Sequence, residues 1–313
     1  MAMAYTLIEA AKGENDPFTR GVIETFIEDQ RLLQILPFRG ILGSADGITQ
    51  EAVLPDAAVR GVNEAFVRST GRIEEIIQSL KIYGGDIGID PFILKTKGQD
   101  QATRQIAMKI KAISNLWVSD FFKGDSSTEP REVDGLQTRL DGFNVVSNSV
   151  AADGAALSLI ALDEAIARCH NPRYLLMGRT MHLRITQAAR LGTSAMGSVI
   201  RMVPAEFGRQ VFFYNDLEVI RVTDNQNNDI VLGLTEAYSG GGTADGTSIY
   251  VCGVGDDGVE GIENGGMQVR NLGEDNSTPR EDTRIEWYNN FHINHPRSVI
   301  RLRNIDAALA AIL

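Results

Sequence analysis

The stretch from Asp100 to Phe122, DQATRQIAMKIKAISNLWVSDFF, sets the architecture of the chain. Its apolar residues Ala102, Ile106, Ile110, Ile113, Trp117 and Phe121 recur at steps of four, four, three, four and four. That rhythm is one face of an α-helix, and at 1.5 Å per residue the segment spans ~35 Å. Asp100 suits the N-cap, and Lys123-Gly124-Asp125 closes the far end. The opposite face is too polar for full burial, so this helix is expected to brace other elements.

Upstream, residues 39–98 are rich in glycine, with Gly40, Gly43, Gly47, Gly61, Gly71, Gly84, Gly85 and Gly88. Ile73–Ile82 and Ile87–Leu94 read as strands, yet no long apolar run offers a core. The pattern is that of an extended hairpin that must lean on something else. Before it, Val22, Ile23, Phe26, Ile27 and Leu33 fall at helical spacing ahead of Pro37, which predicts a short helix over 20–34.

Downstream, the periodicity predicts helices over Ala155–Cys169 and Thr180–Leu191, the latter capped by Thr180 and stopped at Gly192, with Tyr174–Met177 a buried strand between them. Gln210–Tyr214 and Leu217–Val222 read as a hairpin turned by Asn215-Asp216. Further strands are expected at Ile230–Leu234, Ser248–Val254, Met267–Leu272, Arg284–Ile293 and Val299–Arg303. Residues 239–247 and 255–266 read as Gly-rich or acidic loops. The whole is an α+β chain without a regular βαβ repeat.

Composition narrows the function. A chain of 313 residues suggests about two domains at roughly 150 residues each. Hydrophobic residues at 43% and charged residues at 23% are globular proportions and argue against a disordered chain. The net charge of −11 argues against a protein whose task is to grip phosphate backbones. Of the 30 basic residues only 7 are lysine, an arginine excess that suits inter-subunit pairing. The N-terminus lacks a secretory pattern, and nowhere do about 18 apolar residues run together, so no membrane partner is expected.

The candidate chemistry is thin. Ser239-Gly240-Gly241-Gly242-Thr243-Ala244-Asp245-Gly246 lacks the Gly-Lys-Ser/Thr of a phosphate loop. His292 and His295 are three apart on a strand, so their rings diverge rather than share a metal. Asp256, Asp257, Glu260 and Glu263, and again Glu274, Asp275, Glu281 and Asp282, do not follow the EF-hand order and read as solvated acidic loops. Cys169 and Cys252 read as separate buried thiols. Catalytic, metal and cofactor-binding residues are therefore expected to be absent, and the chain is expected not to be an enzyme.

Four sets of residues, in order, carry a resemblance. They are Leu54-Pro55-Asp56-Ala57-Ala58-Val59-Arg60-Gly61-Val62-Asn63-Glu64 with Ser69-Thr70-Gly71; Gly84-Gly85-Asp86-Ile87-Gly88-Ile89-Asp90 running into the long helix; Phe121-Phe122-Lys123-Gly124-Asp125-Ser126-Ser127 with Asp134-Gly135-Leu136 and Arg139-Leu140; and Trp287-Tyr288 followed by His295-Pro296-Arg297-Ser298. Together, over about residues 20–305, the chain resembles the major capsid proteins of tailed bacteriophages, which have the Hong Kong 97 fold.

The resemblance implies an N-terminal arm with a short helix over 1–39 and an extended β-hairpin loop over 40–98. A peripheral domain would comprise 99–150 and 283–313, with the spine helix at 100–122, and would be interrupted by an axial domain over 151–282. It implies pentamers and hexamers of the chain in an icosahedral head, assembled in the host cytoplasm around double-stranded DNA held without sequence-specific contact, and a virion location. Portal and decoration proteins are further implied partners. With only about 40 residues before the loop, a separate scaffolding protein or none is expected. Expansion of an immature shell is expected, with Gly-rich joints at 39–47 and 84–88 as hinges. Arg60, Asn63, Glu64 and Lys81 are the inter-subunit contact candidates, and Ile106, Ile110, Ile113, Trp117 and Phe121 the spine-packing residues. Some members crosslink a loop lysine to an asparagine of the next subunit; Lys81 with Asn289, Asn290 or Asn294 offers the residue types but no sign of the chemistry. The alternatives are an encapsulin-like nanocompartment shell of the same fold and, more distantly, a soluble α+β hydrolase or metal-binding enzyme using the acidic loops.

Overall fold

The amphipathic stretch forms a helix over Asp100–Lys123 in a computed structural model of the chain, which describes residues 31–97, 100–149, 153–191, 199–204, 210–222, 231–241, 245–274 and 278–308. Its apolar face lies on a four-stranded sheet, in the order β1 (Phe38–Gly40), β11 (Val259–Glu274), β12 (Glu281–Ile293) and β4 (Lys81–Ile89). Aromatic side chains weld the two layers. Trp117 meets Trp287 of β12 at 5.7 Å between ring centroids, and Phe121 meets Phe291 at 4.6 Å. Phe38 of β1 packs on both tryptophans, at 5.9 and 5.2 Å. Such pairs each add about 0.5–1.5 kcal/mol beyond burial. Gly261 is required opposite Phe38, because a Cβ there would enter the ring.

A seven-stranded sheet follows the order β5 (Val145–Ser147), β13 (Val299–Ile305), β10 (Thr247–Cys252), β6 (Tyr174–Met177), β9 (Leu217–Arg221), β8 (Gln210–Tyr214) and β7 (Ile200–Pro204). β10 is buried along its whole length, and its alternation serves two cores. Tyr250 and Cys252 face the cluster around the long helix, whereas Ile249 and Val251 face helices Leu159–Arg168 and Arg179–Leu191. The β8–β9 turn places Asn215 and Asp216 at φ 46° and 64°, the left-handed geometry that matches strand twist in a two-residue hairpin.

Several local expectations are corrected. β4 stops at Ile89, and Pro91–Lys97 is a helix rather than the end of a strand. Proline suits a first helical position, and Asp90 Oδ1 accepts the Phe92 amide at 2.8 Å. The helix expected over Ala155–Cys169 starts at Leu159, because Ser158 caps it by accepting from the Ala161 amide. The one after it begins at Arg179, so Thr180 lies inside it, and Gly192 falls outside the described residues. Residues 231–234 form a turn and bend, with Val231 and Leu232 buried, not a strand. Of the helix expected over 20–34, only Arg31–Ile35 falls in a described helix; residues 1–30 lie outside the described residues.

Sheet membership also divides the chain differently from 151–282 and 283–313. β11 and β12 are one antiparallel hairpin paired from Val259↔Ile293 to Glu274↔Glu281, so a boundary at 282 cuts through it. β13 leaves that sheet at the His295–Ser298 turn and pairs with β10 and β5. The proposed joint at 84–88 is no hinge either. It is paired with β12 throughout, and a Cβ on Gly84 would strike the Ile285 carbonyl, so glycine here permits close strand packing. The joint at 39–47 does contain a left-handed glycine, Gly43 at φ 129°.

Beneath the long helix sits a buried carboxylate. Asp120 accepts from the Tyr83 hydroxyl at 2.9 Å and meets no cation among the described residues, and burial lifts its pKa to about 6 against that hydrogen bond, with Glu132 adding to the rise. A raised carboxyl pKa means the folded chain holds a proton that the unfolded chain has released. Stability should therefore rise as pH falls from about 6 towards 4, by on the order of 3 kcal/mol in all, and be lost again on returning to neutrality. Asp120→Asn should flatten that part of the curve in urea unfolding at pH 4.5 to 7.5. An unaltered pH slope in the variant would refute the assignment.

Candidate assembly surfaces

The segment between β1 and β4 is a ribbon of two strands, β2 (Ala45–Val53) and β3 (Arg72–Ser79), which among the described residues pair only with each other. One face, with Asp46, Ile48, Gln50, Ile76 and Gln78, is half-buried against the body. The other carries Ile73 and Ile77 in the open. Two strands alone are marginal in water, and their outer edges are free to pair.

Beyond the ribbon, residues 54–71 form an irregular tip whose apolar side chains are unburied. Val59 is 102% exposed, Val62 93%, Val67 82% and Leu54 69%. Isolated apolar residues at a surface need no explanation, but this many on one projection mark an interaction site.

Three of the predicted contact residues come together here. Arg60 Nη1 donates to the Glu64 carbonyl at 3.1 Å, and the Gly61 amide donates to Glu64 Oε2 at 2.8 Å. Asn63 sits at φ 68°, a conformation asparagine tolerates better than most residues. The Arg60 guanidinium also lies over the Phe66 ring at 5.2 Å. Arg60, Asn63 and Glu64 thus shape the tip, while the open surface is apolar. Leu54, Val59, Val62 and Val67 do not stand out as contact residues in the sequence, because they show neither helical nor strand period.

Lys81 stands apart from the tip. It begins β4 inside the four-stranded sheet, and its Nζ donates to the Pro130 carbonyl at 2.7 Å. Asn289 is its cross-strand partner, is fully buried, and accepts the Trp117 indole N–H at 2.6 Å. Asn290 is buried too and donates to the Ser79 carbonyl at 2.7 Å, while Asn294 donates to the Asp256 carbonyl. Each of these carboxamides makes at least one hydrogen bond within its own chain, although Asn289 Nδ2 has no partner among the described residues. Intact particles boiled in SDS should therefore run as a single subunit band of about 34 kDa, and a ladder of covalent oligomers would overturn this.

The base of the ribbon is held by polar groups. Arg39 pairs with Asp46 and, at 3.4 Å, with Glu260. His292 is wholly buried with Nε2 3.2 Å from Asp46 Oδ2, and burial holds its pKa below the ordinary imidazole value. Gln50 donates to the Ile293 carbonyl at 2.8 Å, and the Leu80 amide to the Ser44 carbonyl at 2.8 Å. Directional contacts of this kind fix the arm at its root without burying it.

The spine-packing residues Ile106, Ile110, Ile113, Trp117 and Phe121 all lie buried in the larger core. The first acidic cluster is not a solvated loop. Asp256 and Asp257 are exposed, but Glu260 and Glu263 are buried on β11. Glu263 accepts the Trp287 indole N–H at 2.8 Å, and burial raises its pKa. In the second cluster Asp282 pairs with Arg280 at 3.2 Å, and Asp275 lies outside the described residues. His295 stacks on His170 at 4.1 Å, away from His292. Ser239 of the Gly-rich run donates its amide to Asn304, and residues 242–244 lie outside the described residues. Among the described residues no group of His, Cys, Asp and Glu converges on a metal position, and no helix is long and apolar enough to cross a membrane. Both cysteines are buried, and burial pushes the Cys169 thiol up to about 12, which leaves it unreactive.

No family model and no curated protein matches the sequence. Solved structures match in fold over nearly the whole chain. The SrpI encapsulin from Synechococcus elongatus PCC 7942 has a TM-score of 0.64 at 16% identity, covering 90% of this chain and 90% of that one. The capsid of a native GTA particle gives 0.59 at 14% identity, covering 88% and 89%. A major capsid protein structure of phage G gives 0.55 at 11% identity, covering 86% and 87%. The chain has the Hong Kong 97 fold.

Proposed function

We propose that this chain is a shell subunit, and specifically the major capsid protein of a tailed bacteriophage. It would form pentamers and hexamers that close into an icosahedral head around double-stranded DNA. The observation that carries the reading is the arm: a two-stranded ribbon with a bare apolar tip, rooted by polar contacts in a chain of capsid-type fold. A single subunit leaves that surface in water, and a neighbour beneath the tip removes it. Because each arm completes another subunit, assembly is cooperative, and a closed shell leaves no free edge. The role is structural rather than enzymatic.

In this reading the four-stranded sheet with the long helix belongs to the peripheral domain, and the seven-stranded sheet forms the axial domain at the symmetry axes. The subunit's net charge of −11 keeps the lining from adsorbing packaged DNA. Portal, decoration and separate scaffolding proteins are further partners of a phage head, and the virion is where the subunit resides.

A second reading, an encapsulin-like nanocompartment, is favoured by the likeness to the SrpI encapsulin. Electron microscopy of the purified protein tests both: polyhedral particles or capsomer rings are expected, and a stable monomer under every condition would refute both. Nuclease-protected DNA inside particles from the native source supports the phage head, whereas protein cargo without DNA supports the nanocompartment.

A further inference from the structure

Where the ribbon arches over the body it leaves a cavity of about 310 Å³. Ile48 and Ile76 of the ribbon line one side, and Leu140, Ile293 and Pro296 of the body line the other. Gln50, Gln78, Asn144, Arg139 and His292 bring polar side chains to the same cavity, and Arg139 carries its charge.

Arg139 is unusual in its partners. Its Nε donates to the Asp134 carbonyl at 2.6 Å and its Nη1 to the Phe291 carbonyl at 2.8 Å. Its Nη2 donates to Gln78 Oε1 at 3.2 Å and to Asn290 Oδ1 at 3.1 Å, and the guanidinium lies over the Phe291 ring at 4.0 Å. Every one of these partners is formally neutral. Among the described residues no carboxylate comes within ion-pair distance of it. The Asp134 carboxylate acts on it only through space, and a desolvated cation with no ion-paired partner is a costly arrangement; burial lowers the Arg139 pKa to about 10. His292 is fully buried as well, but its Nε2 lies 3.2 Å from Asp46 Oδ2, so the imidazole already faces a carboxylate of the ribbon. The cavity therefore offers a buried guanidinium whose hydrogen-bond partners are all neutral, beside an aliphatic wall.

We propose that this cavity binds a carboxylate carried on a short aliphatic stem, with the head at Arg139 and the stem between Ile48, Ile76 and Leu140. Two sources supply that chemistry: a free short-chain carboxylate, or an acidic side chain of a second copy of this chain. Either would displace the Gln78 amide from Arg139, so occupancy bears on how firmly the ribbon is held.

Hexanoate is the probe, with hexan-1-ol as its uncharged counterpart, titrated calorimetrically into dispersed subunits. Hexanoate should bind at least tenfold more tightly than the alcohol. Ile76→Trp, which fills the slot from the ribbon side and leaves Arg139 untouched, should weaken hexanoate at least tenfold; Arg139→Gln should do the same if the variant folds. Equal affinity for acid and alcohol, undiminished binding in Ile76→Trp, or no binding by dispersed subunits would each overturn the proposal. Assembled particles then identify the source. Binding there too assigns the site to a free carboxylate, and loss of binding on assembly assigns it to a second copy's acidic side chain. The dispersed-subunit measurements do not depend on shell formation, so failure of the capsid reading would leave them standing.

Discussion

Glu236→Ala should destabilise the dispersed subunit by about 3–5 kcal/mol, read as a fall in the urea midpoint at unchanged slope. Glu236 ties β13, β10 and Gln137 together. Its Oε2 accepts from Arg301 Nη2 of β13 at 2.9 Å and from the Ser248 hydroxyl of β10, and its Oε1 accepts from Gln137 at 2.6 Å. The side chains of Arg301 and Glu236 are only 14% and 9% exposed, so little solvent screens the pair. Removing the carboxylate strands a guanidinium in the interior, and that stranded charge supplies most of the loss. The same logic predicts a rescue. Arg301→Met added to Glu236→Ala removes the uncompensated charge and should recover much of the stability. A double variant no more stable than Glu236→Ala alone would show that the cost lies in packing, not in the unpaired cation.

The contrast between local and distant information explains what could be read from the residues alone. The Asp100–Lys123 helix was legible because its periodicity is self-contained: Ile106, Ile110, Ile113, Trp117 and Phe121 define a face whatever it meets. Asn215-Asp216 was legible for the same reason, since turn chemistry is local. Strand partnership is not local. Val299–Ile305 follows β12 closely in sequence, yet the His295–Ser298 turn sends it to the other sheet, and no residue in it announces that choice. Residues 255–266 misled because glutamate and glycine signal a loop. Here Glu263 is buried by virtue of Trp287, a residue brought opposite β11 by hairpin register. The absence of a core in the arm was visible as missing apolar periodicity, but the same absence of pattern concealed the tip's apolar surface. The charged Arg60 and Glu64 stood out, and the structure uses them to hold the turn.

That division of labour within the arm separates folding from assembly, and the separation yields the second large effect. Leu54, Val59 and Val62 are each more than two-thirds exposed, so replacing all three by serine removes almost nothing from the isolated fold. The dispersed triple variant should unfold within about 0.5 kcal/mol of the parent, as surface changes do. Assembly is another matter. Burying a Val or Leu side chain is worth about 1.5–3 kcal/mol, so even at the low end three of them contribute about 4.5 kcal/mol per arm. At 1.4 kcal/mol per factor of ten, the subunit concentration needed for particle formation should rise on the order of a thousandfold. Light scattering across a concentration series, beside urea unfolding of the same preparation, separates the two quantities. If the triple variant assembled at the parent's concentration, the apolar tip would not be what neighbours bury. If it lost stability as a dispersed subunit, the tip would be folding against its own chain. Arg60→Ala with Glu64→Ala is the informative companion: the polar pair shapes the tip without supplying its apolar surface. Its assembly defect should therefore be smaller than that of the serine triple, and a larger one would make the turn's shape, rather than its apolar area, the determinant of assembly.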